Sequence, residues 1–185
     1  MSDAAPARIG PGRLVLVVGP SGAGKDTLID LARAAFRDDS GVVFARRVVT
    51  RRASEAENNI HVTPEEFASA RAAGDFAVWW DAHDLQYALA RSIDDDIRAG
   101  RSVVANISRT VIATLRARYI DCIVVEITAP AVVLAQRLVA RNRSSDGAID
   151  RRLDRSVPAH AADRTIVNIG DAAIHARELI DAIMF

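Results

Sequence analysis

The stretch RLVLVVGPSGAGKDTLIDL, residues 13–31, decides the fold. Arg13–Val18 is short, apolar and rich in β-branched residues, and it stops at Gly19, so it reads as a fully buried strand. Residues 19–26 form a glycine-rich turn. From Thr27 to Phe36 the apolar residues Leu28, Leu31, Ala32, Ala35 and Phe36 fall at helical spacing. The chain therefore opens as strand, loop, helix. Gly19-Pro20-Ser21-Gly22-Ala23-Gly24-Lys25 fits the G-x-x-x-x-G-K part of the P-loop pattern, in the strand-to-helix context the motif needs. Glycines let the backbone curl so that successive N–H groups point inward on an anion. The following helix adds its positive end.

Lys25 is the single lysine among 24 basic residues; all the others are arginine. A lysine is a flexible point charge that reaches the β and γ phosphates, where the rigid fork of an arginine suits the narrow position poorly. One position departs from the pattern. The motif ends in Ser or Thr, whose hydroxyl serves Mg²⁺, and here that place is Asp26. A carboxylate is a good hard ligand for Mg²⁺; the plainer alternative is an aspartate that caps the helix. Thr27 has a hydroxyl, but one step along a helix turns it about 100° away. The expected nucleotide contacts are Gly19, Pro20, Ser21, Gly22, Ala23, Gly24, Lys25, Asp26 and Thr27, with Asp26 as the metal ligand.

Outward from this stretch, strands and helices alternate. Val42–Val49 reads as a second strand interrupted by Arg46 and Arg47. Thr63-Pro64-Glu65-Glu66 predicts a helix start with a capping box, the helix ending at Gly74. Phe76–Trp80 is a short strand, and Ser92–Ala99 a helix closed by Gly100. Ser102–Ala105 and Cys122–Ile127 are buried strands, followed by helices over 110–119 and 131–140. A polar break at 142–147 precedes a helix over 149–157, a short strand at Thr165–Val167 and a closing helix over 172–184. Continuously apolar strands alternating with helices indicate a parallel sheet covered on both faces. The expectation is an α/β P-loop NTPase, three layers α/β/α with about five parallel strands. Ligands of such sheets sit beyond the strands' carboxyl ends, where Gly19–Lys25, Arg47–Arg52, Asn106–Arg109 and Asn168 fall.

With 185 residues, half of them hydrophobic, one domain and a substantial core are expected. Net charge is zero and no basic tract dominates, so neither a nucleic-acid nor a membrane surface is indicated. Residues 1–12, small and Pro/Gly-rich, read as a flexible leader without a signal-peptide core. No apolar run approaches the ~20 residues of a membrane helix. The single cysteine, Cys122, reads as a buried structural thiol. The cytoplasm is the expected location.

Arginines gather in two groups. Arg46, Arg47, Arg51 and Arg52 end the second strand; Arg137, Arg141, Arg143, Arg151, Arg152 and Arg155 flank the polar break. Arginine forks grip phosphate oxygens bidentately, which suits phosphoryl transfer between phosphate-bearing molecules. Each arginine taken singly reads more readily as a solvated surface residue; as groups they point to function, because they surround the same expected face as the P-loop. Arg137 and Arg141 are four apart and share a helix face. The transferring group is expected to meet Lys25, Arg137, Arg141 and Arg152.

GPSGAGK, Thr50-Arg51, Glu65-Glu66-Phe67, Gly74-Asp75-Phe76, Trp79-Trp80, Tyr87, Arg137-Leu138-Val139-Ala140-Arg141 and Ile149-Asp150-Arg151-Arg152-Leu153 together make the chain resemble the guanylate-kinase-like branch of the nucleoside-monophosphate kinases over nearly its whole length. Guanylate kinases hold the GMP phosphate with a second arginine, whose place here is Ser54, and a tyrosine that has no counterpart before Tyr87. Lys25-Asp26, Thr50-Arg51-Arg52-Ala53-Ser54, Glu57-Asn58-Asn59-Ile60-His61, Trp80-Asp81-Ala82-His83-Asp84-Leu85-Gln86-Tyr87 and Asn106-Ile107-Ser108-Arg109 are similar instead to the ribose 1,5-bisphosphate phosphokinase family. That family makes 5-phosphoribosyl diphosphate from ribose 1,5-bisphosphate and ATP, and is associated with phosphonate breakdown. Asp84 and Ala88 stand where that family more usually has glycine.

The resemblance implies ATP and Mg²⁺ as cofactors and a small phosphorylated sugar as substrate. It implies a single domain over 1–185, with 50–90 binding the acceptor and 142–150 an arginine-bearing lid, working as a monomer or homodimer. Substrate contacts are expected at Arg47, Thr50, Arg51, Arg52, Glu57, His83, Tyr87, Ser108 and Arg109, and a nucleotide contact at Asn168. His83 is equally readable as a histidine hydrogen-bonded near Trp80 and Tyr87. Asn106 and Ser108 read either as phosphate contacts or as local turn bonds. One of Trp79 and Trp80 is expected in the core, since they face opposite ways on a strand. The alternatives are a GMP-type kinase and an inactive guanylate-kinase-like module that binds phosphorylated ligands.

Overall fold

The computed structural model describes residues 7–51, 58–82, 84–141 and 162–185, without the side chain of Arg141. Arg52, Ser54, Glu57, His83, Arg143, Arg151, Arg152, Arg155, the 142–150 lid and the helix expected at 149–157 lie outside the described residues.

Strand β1 (Ile9–Val18) leads through the glycine loop into helix α1 (Lys25–Ala35). Strands β2 (Val42–Phe44) and β3 (Arg47–Val49) follow, then β4 (Ile60–His61), α2 (Pro64–Ala73), β5 (Phe76–Ala82), β6 (Leu85–Ala90) and α3 (Ile93–Arg98). Next come β7 (Ser102–Asn106), a 3-10 turn at Arg109–Val111, α4 (Ile112–Arg118), β8 (Tyr119–Thr128), α5 (Ala131–Arg141), β9 (Arg164–Val167) and α6 (Ala172–Met184). Five strands form one sheet in the order β2-β7-β1-β8-β9, with β2–β7 and β8–β9 parallel. Its neighbours diverge at β1, and the loop leaving β1 is the place for a ligand in such a sheet. Leu14 to Val18 are fully buried, as a strand covered on both faces must be.

Two compact units divide the chain. One comprises Met1–Leu14, Gly41–Ala105 and Thr110–Cys122; the other comprises Val15–Ser40, Asn106–Arg109 and Ile123–Phe185. In the second unit α1 buries Leu28, Ile29 and Ala32 and packs on α6, which buries Ala176, Leu179, Ala182 and Ile183. Leu31, expected on the buried face of α1, is 40% exposed.

The first unit carries a four-stranded sheet, β4-β3-β6-β5, that the sequence reading missed. The stretch Val42–Val49, expected as one strand, is two strands in two sheets. Ala45 still donates to the Val104 carbonyl at 2.9 Å, while Arg47 pairs with Leu89 of β6. Two consecutive arginines cannot continue a strand covered on both faces. Their guanidinium groups turn to Asn59, Arg46 to its carbonyl (2.9 Å) and Arg47 to its side-chain oxygen (3.3 Å). Helix α2 matches its sequence signature: Thr63 Oγ1 accepts from the Glu66 amide at 3.1 Å, and Glu66 Oε2 accepts from the Thr63 amide at 2.7 Å.

Residues 9–12, expected to be flexible, begin β1. Their small size serves close packing. A Cβ on Gly12 would lie 2.2 Å from the Arg101 carbonyl oxygen, and one on Gly10 would lie 2.9 Å from the Ile120 side chain. Cys122, expected to be buried, is only half-buried on β8.

Asp94, buried at 1% exposure, accepts from Tyr119 Oη at 2.6 Å and from Arg118, tying α3, α4 and the start of β8 together. Burial pushes the Asp94 carboxyl upward, but the hydrogen bonds from Arg118 and Tyr119 outweigh that push and hold it below its ordinary value. The same burial and the carboxylate beside it push the Tyr119 hydroxyl well above the usual range.

Candidate active site

The second unit builds a phosphate cradle. Gly19, Gly22 and Gly24 have φ of 145°, 83° and 85°, a backbone region that residues with a Cβ enter with strain. Space forbids a side chain as well: a Cβ on Gly19 would stand 1.9 Å from the Ile127 carbonyl oxygen, and one on Gly24 would stand 2.4 Å from Asn168 Nδ2. The curl is locked in place by its neighbours. Gly24 is the N-cap of α1 and, among the described residues, no side chain caps that end, which leaves the helix terminus to an anion. Lys25 Nζ donates to the carbonyls of Gly19 (2.8 Å) and Pro20 (3.0 Å), so its ammonium lies over the loop.

Two sequence-selected residues brace this loop. Asn168, 3% exposed at the end of β9, donates from Nδ2 to the Ala23 carbonyl at 2.8 Å, while its Oδ1 is buried with no hydrogen-bond partner among the described residues. Arg137 on α5 donates to the Asn168 carbonyl (3.1 Å) and the Gly22 carbonyl (3.4 Å). Asp26 does not cap the helix, since the N-cap is Gly24. It is exposed on the first turn and accepts from Asn106 Nδ2 at 3.0 Å. Asn106 was open between a phosphate contact and a turn bond; the structure shows this bond to Asp26.

A magnesium nucleotide fits this donor set. Mg²⁺ is held by one or two carboxylates together with substrate phosphates, and the exposed Asp26 carboxylate stands at the mouth of the cradle's helix. Among the described residues no group of three or more His, Cys, Asp or Glu side chains forms a metal cage.

The first unit gathers part of the expected acceptor set. On β6, Tyr87 stacks on Trp80 of β5, ring centroids 5.7 Å apart and 9° from parallel, and the Arg47 guanidinium lies 5.7 Å from the Tyr87 centroid. Thr50 Oγ1 accepts from the Gln86 amide at 2.9 Å, which ties residue 50 to the same strand pair. His61 Nδ1 is 3.0 Å from the Arg51 carbonyl oxygen. The other face of this sheet packs Trp79 against Val48, Phe67 and Ala88, with Arg71 3.6 Å above the Trp79 ring. The two tryptophans thus face opposite ways as expected, with Trp80 6% exposed. Ala88, within the 50–90 stretch expected to bind the acceptor, is fully buried in the Val48 and Phe67 cluster, because it falls on the α2 side of the pleat. Asp84 has φ 59° in the β5–β6 turn, a backbone region that favours glycine and that aspartate tolerates better than most residues.

Ser108 and Arg109 belong to the second unit, with Asn106 and Asp26. Sequence reasoning missed Asn59, buried at 6% and bound by Arg46 and Arg47. The sequence reading had Asn59 only as part of the 57–61 stretch that carries the family resemblance, with no role of its own.

No family model matches the chain. Ribose 1,5-bisphosphate phosphokinase PhnN of Rhodopseudomonas palustris is 62% identical over 175 residues, which covers 95% of this chain and 90% of that protein. The protein of the same name from Bradyrhizobium diazoefficiens is 62% identical over 177 residues, 95% of this chain and 89% of that one. Among solved structures, guanylate kinase from Anaplasma phagocytophilum superimposes with a TM-score of 0.69 over 96% of this chain and 86% of its own, at 19% identity. That likeness shows the fold: α/β, of the guanylate-kinase type.

Proposed function

The chain belongs to the ribose 1,5-bisphosphate phosphokinase family, and we propose that it transfers the γ-phosphoryl group of ATP to ribose 1,5-bisphosphate, giving 5-phosphoribosyl diphosphate and ADP. The observation that carries this reading is the near-full-length identity with proteins of that name. The cradle with its one lysine supplies the chemistry.

An oxygen of the acceptor's 1-phosphate attacks the γ phosphorus. The bond from that phosphorus to the β–γ bridging oxygen breaks, and ADP leaves with the bond's electrons. A phosphate monoester has its second pKa near ~6 and is mostly ionised at neutral pH, so no general base is needed. Catalysis is then alignment and charge neutralisation. Lys25 holds the β and γ oxygens, exchanging its contacts with Gly19 and Pro20 for the nucleotide's. Gly19 to Thr27 present backbone amides and the helix end to the phosphates. Arg137 and Asn168 keep the loop in shape, a role their bonds to Gly22 and Ala23 support. Mg²⁺, held by Asp26 and the phosphates, would withdraw charge from the transferring group.

Arg47, Thr50, Arg51, Arg52, Glu57, His83, Tyr87, Ser108 and Arg109 are the proposed acceptor contacts. Arg137, Arg141 and Arg152 are proposed for the transferring group. We keep 1–185 as one guanylate-kinase-like domain, with 50–90 for the acceptor and 142–150 as the lid. An ATP-dependent sugar-phosphate kinase works where ATP is made, so we place it in the cytoplasm as a monomer or homodimer. Among the described residues no helix is long and apolar enough to cross a membrane.

A coupled ADP-release assay over ribose 1,5-bisphosphate, ribose 5-phosphate, GMP, AMP and gluconate tests the acceptor. Turnover should be best with ribose 1,5-bisphosphate. Best turnover with GMP would overturn the assignment in favour of a nucleotide kinase, and no turnover despite ATP binding would favour a binding module.

A further inference from the structure

Asp26 occupies the P-loop position where a hydroxyl usually serves the metal, and sites of that usual kind also draw an aspartate from elsewhere in the fold. In this chain the P-loop supplies the carboxylate itself. The side chain that meets it, from the end of β7, is the neutral Asn106, with Nδ2 3.0 Å from Asp26 Oδ1. Only the amide nitrogen can face a carboxylate, so the contact fixes which way the Asn106 carboxamide points. An aspartate at 106 would bring a second negative charge to the same distance, and neighbouring carboxylates resist ionising together. Asp26 is otherwise an exposed side chain on a first helical turn, with rotamer freedom that a metal ligand has to give up on binding.

We infer that Asn106 is a positioning residue for Asp26: the usual pair of P-loop hydroxyl and distant carboxylate is exchanged here for P-loop carboxylate and distant carboxamide, and the hydrogen bond holds Asp26 ready for the divalent ion that accompanies the nucleotide. This rests on the kinase reading above and deepens it. Partners that orient a metal ligand in this way are typically worth about 10–100-fold in metal affinity. The exchange also implies that the two residues work as a pair, so that changing one is damaging and changing both is less so.

The test measures Mn²⁺ binding to the ADP complex of the full chain by electron paramagnetic resonance, and ADP binding without metal by calorimetry. Four proteins are compared: wild type, Asn106→Ala, Asp26→Ser, and the double variant Asp26→Ser/Asn106→Asp, each checked for folding by thermal melt. Asn106→Ala should weaken Mn²⁺ binding by about 10–100-fold and leave metal-free ADP affinity unchanged. Asp26→Ser should lose Mn²⁺ binding, and the double variant, which restores hydroxyl plus carboxylate, should regain most of it. Unchanged Mn²⁺ affinity in Asn106→Ala overturns the inference. A parallel fall in metal-free ADP affinity also overturns it, since Asn106 would then prop the loop itself. If the double variant misfolds, the Asn106→Ala comparison still decides. Wild-type protein that binds no ADP at all would instead sink the kinase reading, so the two failures are distinguishable.

Discussion

Gly24→Ala probes the cradle where it packs against Asn168. Two separate effects can be worked from the structure. Gly24 has φ 85°, and placing an L-residue in that left-handed region costs about 1–2 kcal/mol. The new Cβ would also stand 2.4 Å from Asn168 Nδ2, closer than real contacts allow. The carboxamide must move, breaking its 2.8 Å bond to the Ala23 carbonyl and leaving buried polar atoms without partners, at a further ~1–3 kcal/mol. The expected loss is therefore about 2–5 kcal/mol, or roughly 4–20 °C in Tm at about 2–4 °C per kcal/mol for a chain of this size. The two effects are separated by a double-mutant cycle in denaturant unfolding. In an Asn168→Ala background the carboxamide is gone, so Gly24→Ala should cost only the backbone part, and the coupling should be about 1–3 kcal/mol. Equal costs in the two backgrounds would refute the claim that Asn168 and Gly24 are packed as a unit. A loss below ~1 kcal/mol in the wild-type background would refute the left-handed constraint itself.

Lys25→Ala should abolish turnover with the melting curve preserved, measured by ADP release and circular dichroism; retained turnover removes the ammonium from the mechanism. Asp94→Ala should destabilise by about 3 kcal/mol, the low end for a broken buried pair because Arg118 keeps some solvent contact. The Asp94 carboxyl titrates below its ordinary 3.8 in the folded chain, so its contribution is complete above that value and is lost as pH falls through the lower folded one. Asp94→Asn should flatten the acid limb of stability against pH in denaturant melts, and an unchanged acid limb would contradict this. His175 is raised above its ordinary 6.5 by the Ile169 carbonyl and then by Glu178; its contribution is full below 6.5 and is lost as pH rises through the folded value. A proton NMR titration with a midpoint at or below 6.5 would refute that pairing.

Residues 13–31 were legible because every signal in them is local. A doubly covered strand must be continuously apolar, a phosphate-curled backbone must be glycine, and a capping box is written within four residues at Thr63–Glu66. The same locality let the sequence place the closing helix over 172–184 and the strand ending at Val167. Arg46 and Arg47 marked an interruption in Val42–Val49, but not that its halves join different sheets, because each half satisfies strand propensity. What separates them is pairing with Val104 on one side and with Leu89 on the other, partners 59 and 42 residues distant in sequence. Strand β6 was missed for a related reason, since Leu85–Ala90 acquires its alternation only when one face is Tyr87 on Trp80 and the other is Ala88 in a buried cluster.

By itself the sequence determined the phosphate chemistry: where the glycines must be, why the one lysine stands at 25, and that parallel strands surround it. Only the tertiary structure decided which side chains hold that loop in place. The bonds from Asn168 to Ala23, Arg137 to Gly22 and Asn106 to Asp26 span 80 to 145 residues of chain. Local propensity carries no trace of such contacts, because they exist only once the sheet has brought its strand ends together.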